Sequence, residues 1–225
     1  MKKYAVVSVA VVLFIFAFVV SVFSNDIVWD DIGRGNLNLR TVLVNPDNPK
    51  IIYVGSSNAV IKSEDGGASW RNIFSLKGEN RIVNFLLFHP QDKNSLYAAT
   101  GRGLFCSLNQ GRNWGRIFKG KGLLENECSA LAILPYGIYL GTKAGLFVSE
   151  DRGQSWHKQT GEMDNSQILN IAYNLKEPEH IYIACIDGVF KTKNKGESWE
   201  KVFVTSPTEV ETDLDEVLDD LDEAR

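Results

Sequence analysis

The chain has 225 residues, 44% of them hydrophobic and 23% charged, enough for one globular domain with a core of its own. Its net charge of −4 is unevenly placed: residues 208–225 carry nine acids and one arginine, and Lys2 and Lys3 sit at the other end, which leaves about +2 on the body. Nothing in a body so close to neutral is basic enough to suggest a nucleic-acid surface. At the N-terminus, Met1-Lys2-Lys3 precedes an uncharged run over residues 4–24, mostly Val, Phe, Ala and Leu, with small residues at Val22 and Ser24. That order describes a secretory signal cleaved before Asn25. The run is about 20 residues long, so an uncleaved membrane anchor is the competing reading. Both readings export the rest of the chain to the periplasm, the medium or the outer side of the membrane, with the lysines inside.

The body is a repeat. The interval from a tyrosine to a tryptophan is 17 residues four times, at Tyr53 to Trp70, Tyr97 to Trp114, Tyr139 to Trp156 and Tyr182 to Trp199. Successive tryptophans are 44, 42 and 43 residues apart, so the slack falls outside that window. A period of about 40–50 residues marks propeller or solenoid arrays. Two residues after each tyrosine stands a small residue, Gly55, Ala99, Gly141 or Ala184, and an apolar pair follows a turn: Val60-Ile61, Leu104-Phe105, Leu146-Phe147, Val189-Phe190. Next comes Ser/Thr-x-Asp/Asn-x-Gly-x-x-Trp in four copies: Ser63, Asp65, Gly67, Trp70; Ser107, Asn109, Gly111, Trp114; Ser149, Asp151, Gly153, Trp156; Thr192, Asn194, Gly196, Trp199. Asp or Asn accepts bonds from amides a few residues on, and glycine supplies positive φ, so each copy predicts a tight hairpin with the tryptophan starting the returning strand. Another apolar run precedes each tyrosine, at 41–44, 85–88, 130–134 and 168–173, and the first three end in a turn with proline. Four short strands per unit with turn signals between them describe one propeller blade.

These copies resemble the Asp-box, or bacterial neuraminidase, repeat, and they are similar to the blades of sortilin-type and photosystem II assembly-factor propellers. The resemblance covers residues 29–204. It implies an all-β chain of four four-stranded antiparallel blades, over 36–76, 80–119, 126–160 and 165–204, within a repeat domain at 25–205. It also implies that the boxes are structural braces lying away from any active site. Asn109 and Asn194 keep the turn chemistry and lose the charge, which suits a brace. Trp29-Asp-Asp-Ile resembles Trp70-Arg-Asn-Ile and adds a surplus outer strand at 27–33 whose inner partners are missing. Three readings compete: an incomplete or open ring that is the front of a longer propeller, half of an eight-bladed pair, or a closed four-blade ring with the first strand set aside. The open or truncated array is the expectation. An open arc exposes sheet faces and predicts self-association.

In a propeller the loops from each outer strand to the next inner strand gather at one face around the axis. Here they vary in length and are rich in Gly and Asn, as a binding face would be. The candidate ligand-facing residues are Asn38, Arg40, Asn80, Arg81, Asn126, Glu127, Asn165 and Gln167. Because sialidases and some large glucan hydrolases share the repeat, an enzyme has to be weighed. A glycosidase needs two carboxylates on one pocket; the loop acids Glu79, Glu125, Glu127, Glu162 and Asp164 show no repeated pairing, and the Arg-Ile-Pro motif of such sialidases is absent. His89, His157 and His180 have no ligand spacing, and Cys106, Cys128 and Cys185 have no Cys-x-x-Cys pattern, so neither a metal nor a cofactor is expected. After Pro207 the acidic stretch 206–225 carries Leu214, Val217, Leu218 and Leu221 at helical spacing and is expected to be a disordered tail. The sequence thus describes an exported, non-catalytic propeller that binds or scaffolds a protein. An envelope polymer or other carbohydrate, a degenerate sialidase-like glycosidase, and a truncated fragment are the alternatives.

Overall fold

The computed structural model describes residues 38–204. The expected leader at 1–24, the strand at 27–33 around Trp29 and the acidic stretch 206–225 lie outside the described residues. The strands are β1 (Leu39–Val44), β2 (Ile52–Ser56), β3 (Ala59–Ser63), β4 (Arg71–Ser75), β5 (Val83–His89), β6 (Asp92–Thr100), β7 (Gly103–Ser107), β8 (Gly115–Phe118), β9 (Cys128–Leu134), β10 (Gly137–Thr142), β11 (Gly145–Ser149), β12 (His157–Lys158), β13 (Ile168–Tyr173), β14 (Ile181–Cys185), β15 (Gly188–Thr192) and β16 (Glu200–Val204). They form four antiparallel sheets of four strands each, every sheet a meander in chain order: β1–β4, β5–β8, β9–β12 and β13–β16. The described residues hold one helical turn, α1 (Leu123–Asn126), between β8 and β9. No helix among them is long and apolar enough to cross a membrane.

Strand alternation decides which residues meet. In β10, Tyr139 points to the following sheet and Leu140 to the preceding one. Tyr139, Leu146, Ala132 and Leu134 pack with Ile168, Ile181, Ile183 and Phe190 of the last sheet. Leu140, Phe147, Leu131 and Ile133 pack with Tyr97, Leu104 and Phe118 of the second. Tyr53 and Val60 meet Leu86, Phe88, Leu96 and Ala98 in the same manner. Three cores thus lie between four sheets. The small residue after each tyrosine is what lets the sheets approach. A Cβ on Gly55 would stand 2.7 Å from Val83, and one on Gly141 would stand 2.5 Å from Ile168.

The tryptophans pack backwards. Trp114 joins the first core, Trp156 the second and Trp199 the third, so each indole lies against the sheet before its own. Phe74 stacks on Trp114 with ring centres 5.0 Å apart, and Phe118 meets Trp156 edge-on at 5.1 Å. Innermost strands pack in series, β1 on β5, β5 on β9 and β9 on β13, while β13 makes no packing of comparable extent with β1 among the described residues. The ring is open. Because Trp114 has a sheet to pack against, Trp114→Ala should cost about 3 kcal/mol in equilibrium urea unfolding. Trp70 starts the outer strand of the first described sheet and has no preceding sheet within its own chain among the described residues, so Trp70→Ala should cost about 1 kcal/mol in a monomeric form of the protein. Equal losses would mean that stacking between sheets contributes nothing.

Candidate functional site

The hairpin between third and fourth strands is built four times from the same bonds. A buried hydroxyl accepts the glycine amide four residues on: Ser63 from Gly67 at 2.8 Å, Ser107 from Gly111 at 2.9 Å, Ser149 from Gly153 at 2.7 Å and Thr192 from Gly196 at 3.0 Å. The same hydroxyl donates to the Asp or Asn two residues on, at 2.7–3.1 Å. That side-chain oxygen in turn accepts the amide of Ser69, Asn113, Ser155 or Ser198, at 2.8–3.0 Å. Positive φ is needed at two successive residues, Gly66-Gly67, Gln110-Gly111, Arg152-Gly153 and Lys195-Gly196. Only the glycine of each pair was foreseeable from the motif; Gln110, Arg152 and Lys195 take the left-handed region with ordinary side chains. The carbonyls of Gly67, Gly111 and Gly153 accept the indole N–H of Trp70, Trp114 and Trp156 at 2.8, 3.2 and 3.2 Å.

These hairpins and the turns between first and second strands occupy one end of the strands, and the variable loops occupy the other. There the structure brings two of the foreseen residues together: Asn80 Nδ2 donates to Glu127 at 3.3 Å across adjacent loops, and Lys143 closes on Glu127 at 2.6 Å. Asn126 is spent inside its own loop, bonded to the amide and carbonyl of Gly120 and to the carbonyl of Gly122. Asn165, left-handed at φ 64°, accepts from Lys158 at 2.7 Å, and Lys158 also pairs with Asp164 at 2.5 Å. Gln167 offers its backbone carbonyl to Ile186. Asn38, Arg40 and Arg81 are exposed. Glu125 accepts the Lys121 amide at 2.6 Å, which stiffens the loop that carries α1. On that loop Leu123 and Leu124 are 81% and 58% exposed. The sequence reading passed over this pair. Its signal was two adjacent leucines between Gly122 and Glu125, in a loop with no strand to bury them.

A cavity of about 720 Å³ opens at the opposite end, over the hairpin ends of the second and third sheets and the inner turns of the second, third and fourth. Tyr97, Tyr136 and Tyr173 line it together with Asp92, Glu150 and Arg152. Burial pushes the Tyr97 phenol well above its usual range and lifts that of Tyr136 to about 12, so both stay protonated donors. Tyr136 gives its hydrogen to the Pro178 carbonyl. Burial likewise raises the thiols of Cys106 and Cys128, which makes them poor nucleophiles.

No protein-family model matches the chain, and no curated protein matches it. Solved structures do. An ancestral GH74 enzyme superimposes with a TM-score of 0.62 at 22% identity, over 78% of this chain and 25% of that one. YCF48 from Cyanidioschyzon merolae gives 0.57 at 15% identity, over 78% and 59%. The extracellular domain of the hybrid two-component system BT4673 from B. thetaiotaomicron gives 0.63 at 15%, over 81% and 24%. The fold is that of a β-propeller. The chain spans about a quarter of the GH74 and BT4673 proteins and about three fifths of YCF48, and at these identities the likeness speaks for the propeller fold alone.

Two of the four propeller hairpins titrate and two do not. Hydrogen bonds from Ser69, then from Ser63, hold the Asp65 carboxyl down at about 2, below its ordinary 3.8. Bonds from Ser155 do the same for Asp151. A lowered native pKa means the contribution is complete above pH 4 and is lost as pH falls through 2. Amide exchange at Ser69 and Ser155 should therefore lose protection between pH 4 and pH 2. Asn113 and Ser198, held by the uncharged Asn109 and Asn194, should keep theirs. NMR exchange rates showing four equal losses would reject this account.

Proposed function

We propose that this propeller is an exported, non-catalytic module that binds or scaffolds a protein partner through its variable-loop face, with Asp-box hairpins as braces at the far end. The observation that carries the reading is the Leu123-Leu124 pair, exposed on a loop whose backbone is tied down by Asn126 and Glu125. Exposed aliphatic anchors on a rigid loop, with charged neighbours at Lys119 and Lys121, suit the buried centre and polar rim of a protein interface. The face also offers little for hydrolysis. Of the five loop acids, Glu127 and Asp164 each pair with a lysine and Glu125 accepts a backbone amide, while Glu79 and Glu162 stand on different loops. A glycosidase would need one carboxylate free as acid and another as base or nucleophile.

The test is a pair of variants and an assay. Leu123→Asp with Leu124→Asp should leave the thermal melting temperature within about 2 °C, because neither side chain is in a core. The same double variant should abolish a photo-crosslink formed from Arg81 by the protein in its producing cells. Incubation with xyloglucan and sialosides should release no product, and turnover that survives purification to homogeneity would overturn the reading. A second reading rests on the cavity: three tyrosines beside Asp92, Glu150 and Arg152 form the aromatic-and-charged lining that suits an envelope oligosaccharide. Tyr173→Ala weakening binding to a glycan array, with the leucine variants inert, would favour it.

A further inference from the structure

The two end sheets carry apolar faces that repeat the faces buried between sheets, and each end has what the other lacks. On β1, Val42 is 66% exposed, whereas Leu86 and Leu131, at the same register in the second and third sheets, are 3% and 5% exposed. Leu39 is 56% exposed where its equivalents Val83, Cys128 and Ile168 are fully buried against the preceding sheet. At the far end the reverse face is open. Tyr182 is 37% exposed against 0% for Tyr53 and 2% for Tyr139, and Phe203 is 59% exposed where Phe118 is 4%.

We propose that two copies of this chain join head to tail, the last sheet of each packing on the first sheet of the other, to close an eight-bladed ring. The junctions inside the chain specify the contacts. Tyr53 donates to the Gln110 carbonyl at 3.2 Å and Tyr139 to the Lys195 carbonyl at 2.5 Å, so Tyr182 donates to the Gly66 carbonyl of the second copy. Phe74 lies 5.0 Å from both Phe105 and Trp114, and Phe118 lies 4.9 and 5.1 Å from Phe147 and Trp156. Phe203 therefore meets Ile61 and Trp70 of the second copy. Ile73 and Ile117 reach the glycines Gly111 and Gly153 of the next hairpin, so Val202 reaches Gly67 of the second copy. Both faces run across a whole sheet, from inner strand to outer. Trp29-x-x-Ile32 matches an outer strand only and would cover one edge, while a second copy offers the complete complement. Twice four blades falls within the about four to eight that propellers use, and a closed pair leaves neither face in water.

These end faces are separate from the variable-loop face, so the test does not depend on the function proposed above. The full-length chain is extracted in mild detergent, and two variants are made in a Cys106→Ser background, Ile61→Cys and Phe203→Cys. When the two are mixed, a short bismaleimide should link them into a dimer at least tenfold more than either variant alone. Sedimentation, corrected for bound detergent, should give twice the mass of the purified chain for the wild type and a folded monomer for Phe203→Asp. Circular dichroism identical to wild type confirms that this variant folds, as expected for a surface position. Four results would overturn the proposal: a wild-type monomer, a ladder of species beyond the dimer, equal linking by Phe203→Cys alone, or Tyr182 and Val42 already covered by residues 1–37 or 205–225 in a monomer.

Discussion

A phenol hydroxyl held by a backbone carbonyl one blade away ties the first blade to the second and the third to the fourth. Tyr53 reaches Gln110, and Tyr139 reaches Lys195. The residue that offers its carbonyl is left-handed in every hairpin, a conformation enforced by the hydroxyl-to-glycine and Asx bonds around it. From the same 17-residue window the tryptophan packs in the opposite direction, onto the preceding sheet. Both ends of the window are thus answered by neighbours. Lengthening it by one residue would turn the tyrosine or the tryptophan to the wrong face. The loops outside the window meet no such demand, and they alone differ in length.

Most of the architecture was legible because it is periodic. Four strands per unit, the hairpin at Ser/Thr-x-Asp/Asn-x-Gly and the small residue against a neighbouring strand all follow from spacing and turn chemistry. The forward reach of the tyrosines was not legible, since a residue's partner 56 or 57 positions away leaves no local pattern. Nor did the motif disclose that the residue before each glycine is left-handed, because Gln110, Arg152 and Lys195 are ordinary side chains; only Gly66 hints at it. At the variable loops, residue type alone could not separate Asn126, consumed by its own loop, from Arg81, which faces solvent. The leucines beside Asn126 escaped notice because composition marks a loop by its polar members.

The four units are not equal in detail, and one substitution shows why. Where Ile73 and Ile117 stand in the first two blades, the third has Gln159, whose amide donates to the Gly196 carbonyl at 3.0 Å. That carbonyl is the acceptor the other tryptophans use, and the Trp199 indole N–H is left buried without a partner. An unpaired buried donor costs about 1–3 kcal/mol. The third junction also has Thr160 in the place of Phe74 and Phe118, so it lacks their ring contact with the next tryptophan. It gains the Tyr136 bond to Pro178 and the Lys195 cation over the Tyr136 ring.

Among the described residues the sheets pack in series, with no extensive contact from β13 back to β1, and this has a thermodynamic consequence. Stability in such an array accrues between nearest neighbours, so each interior blade is held from two sides and each terminal blade from one. In a single copy thermal opening would then propagate inward from the end blades like a zipper, and a second copy packed on both end faces would remove the places where it starts.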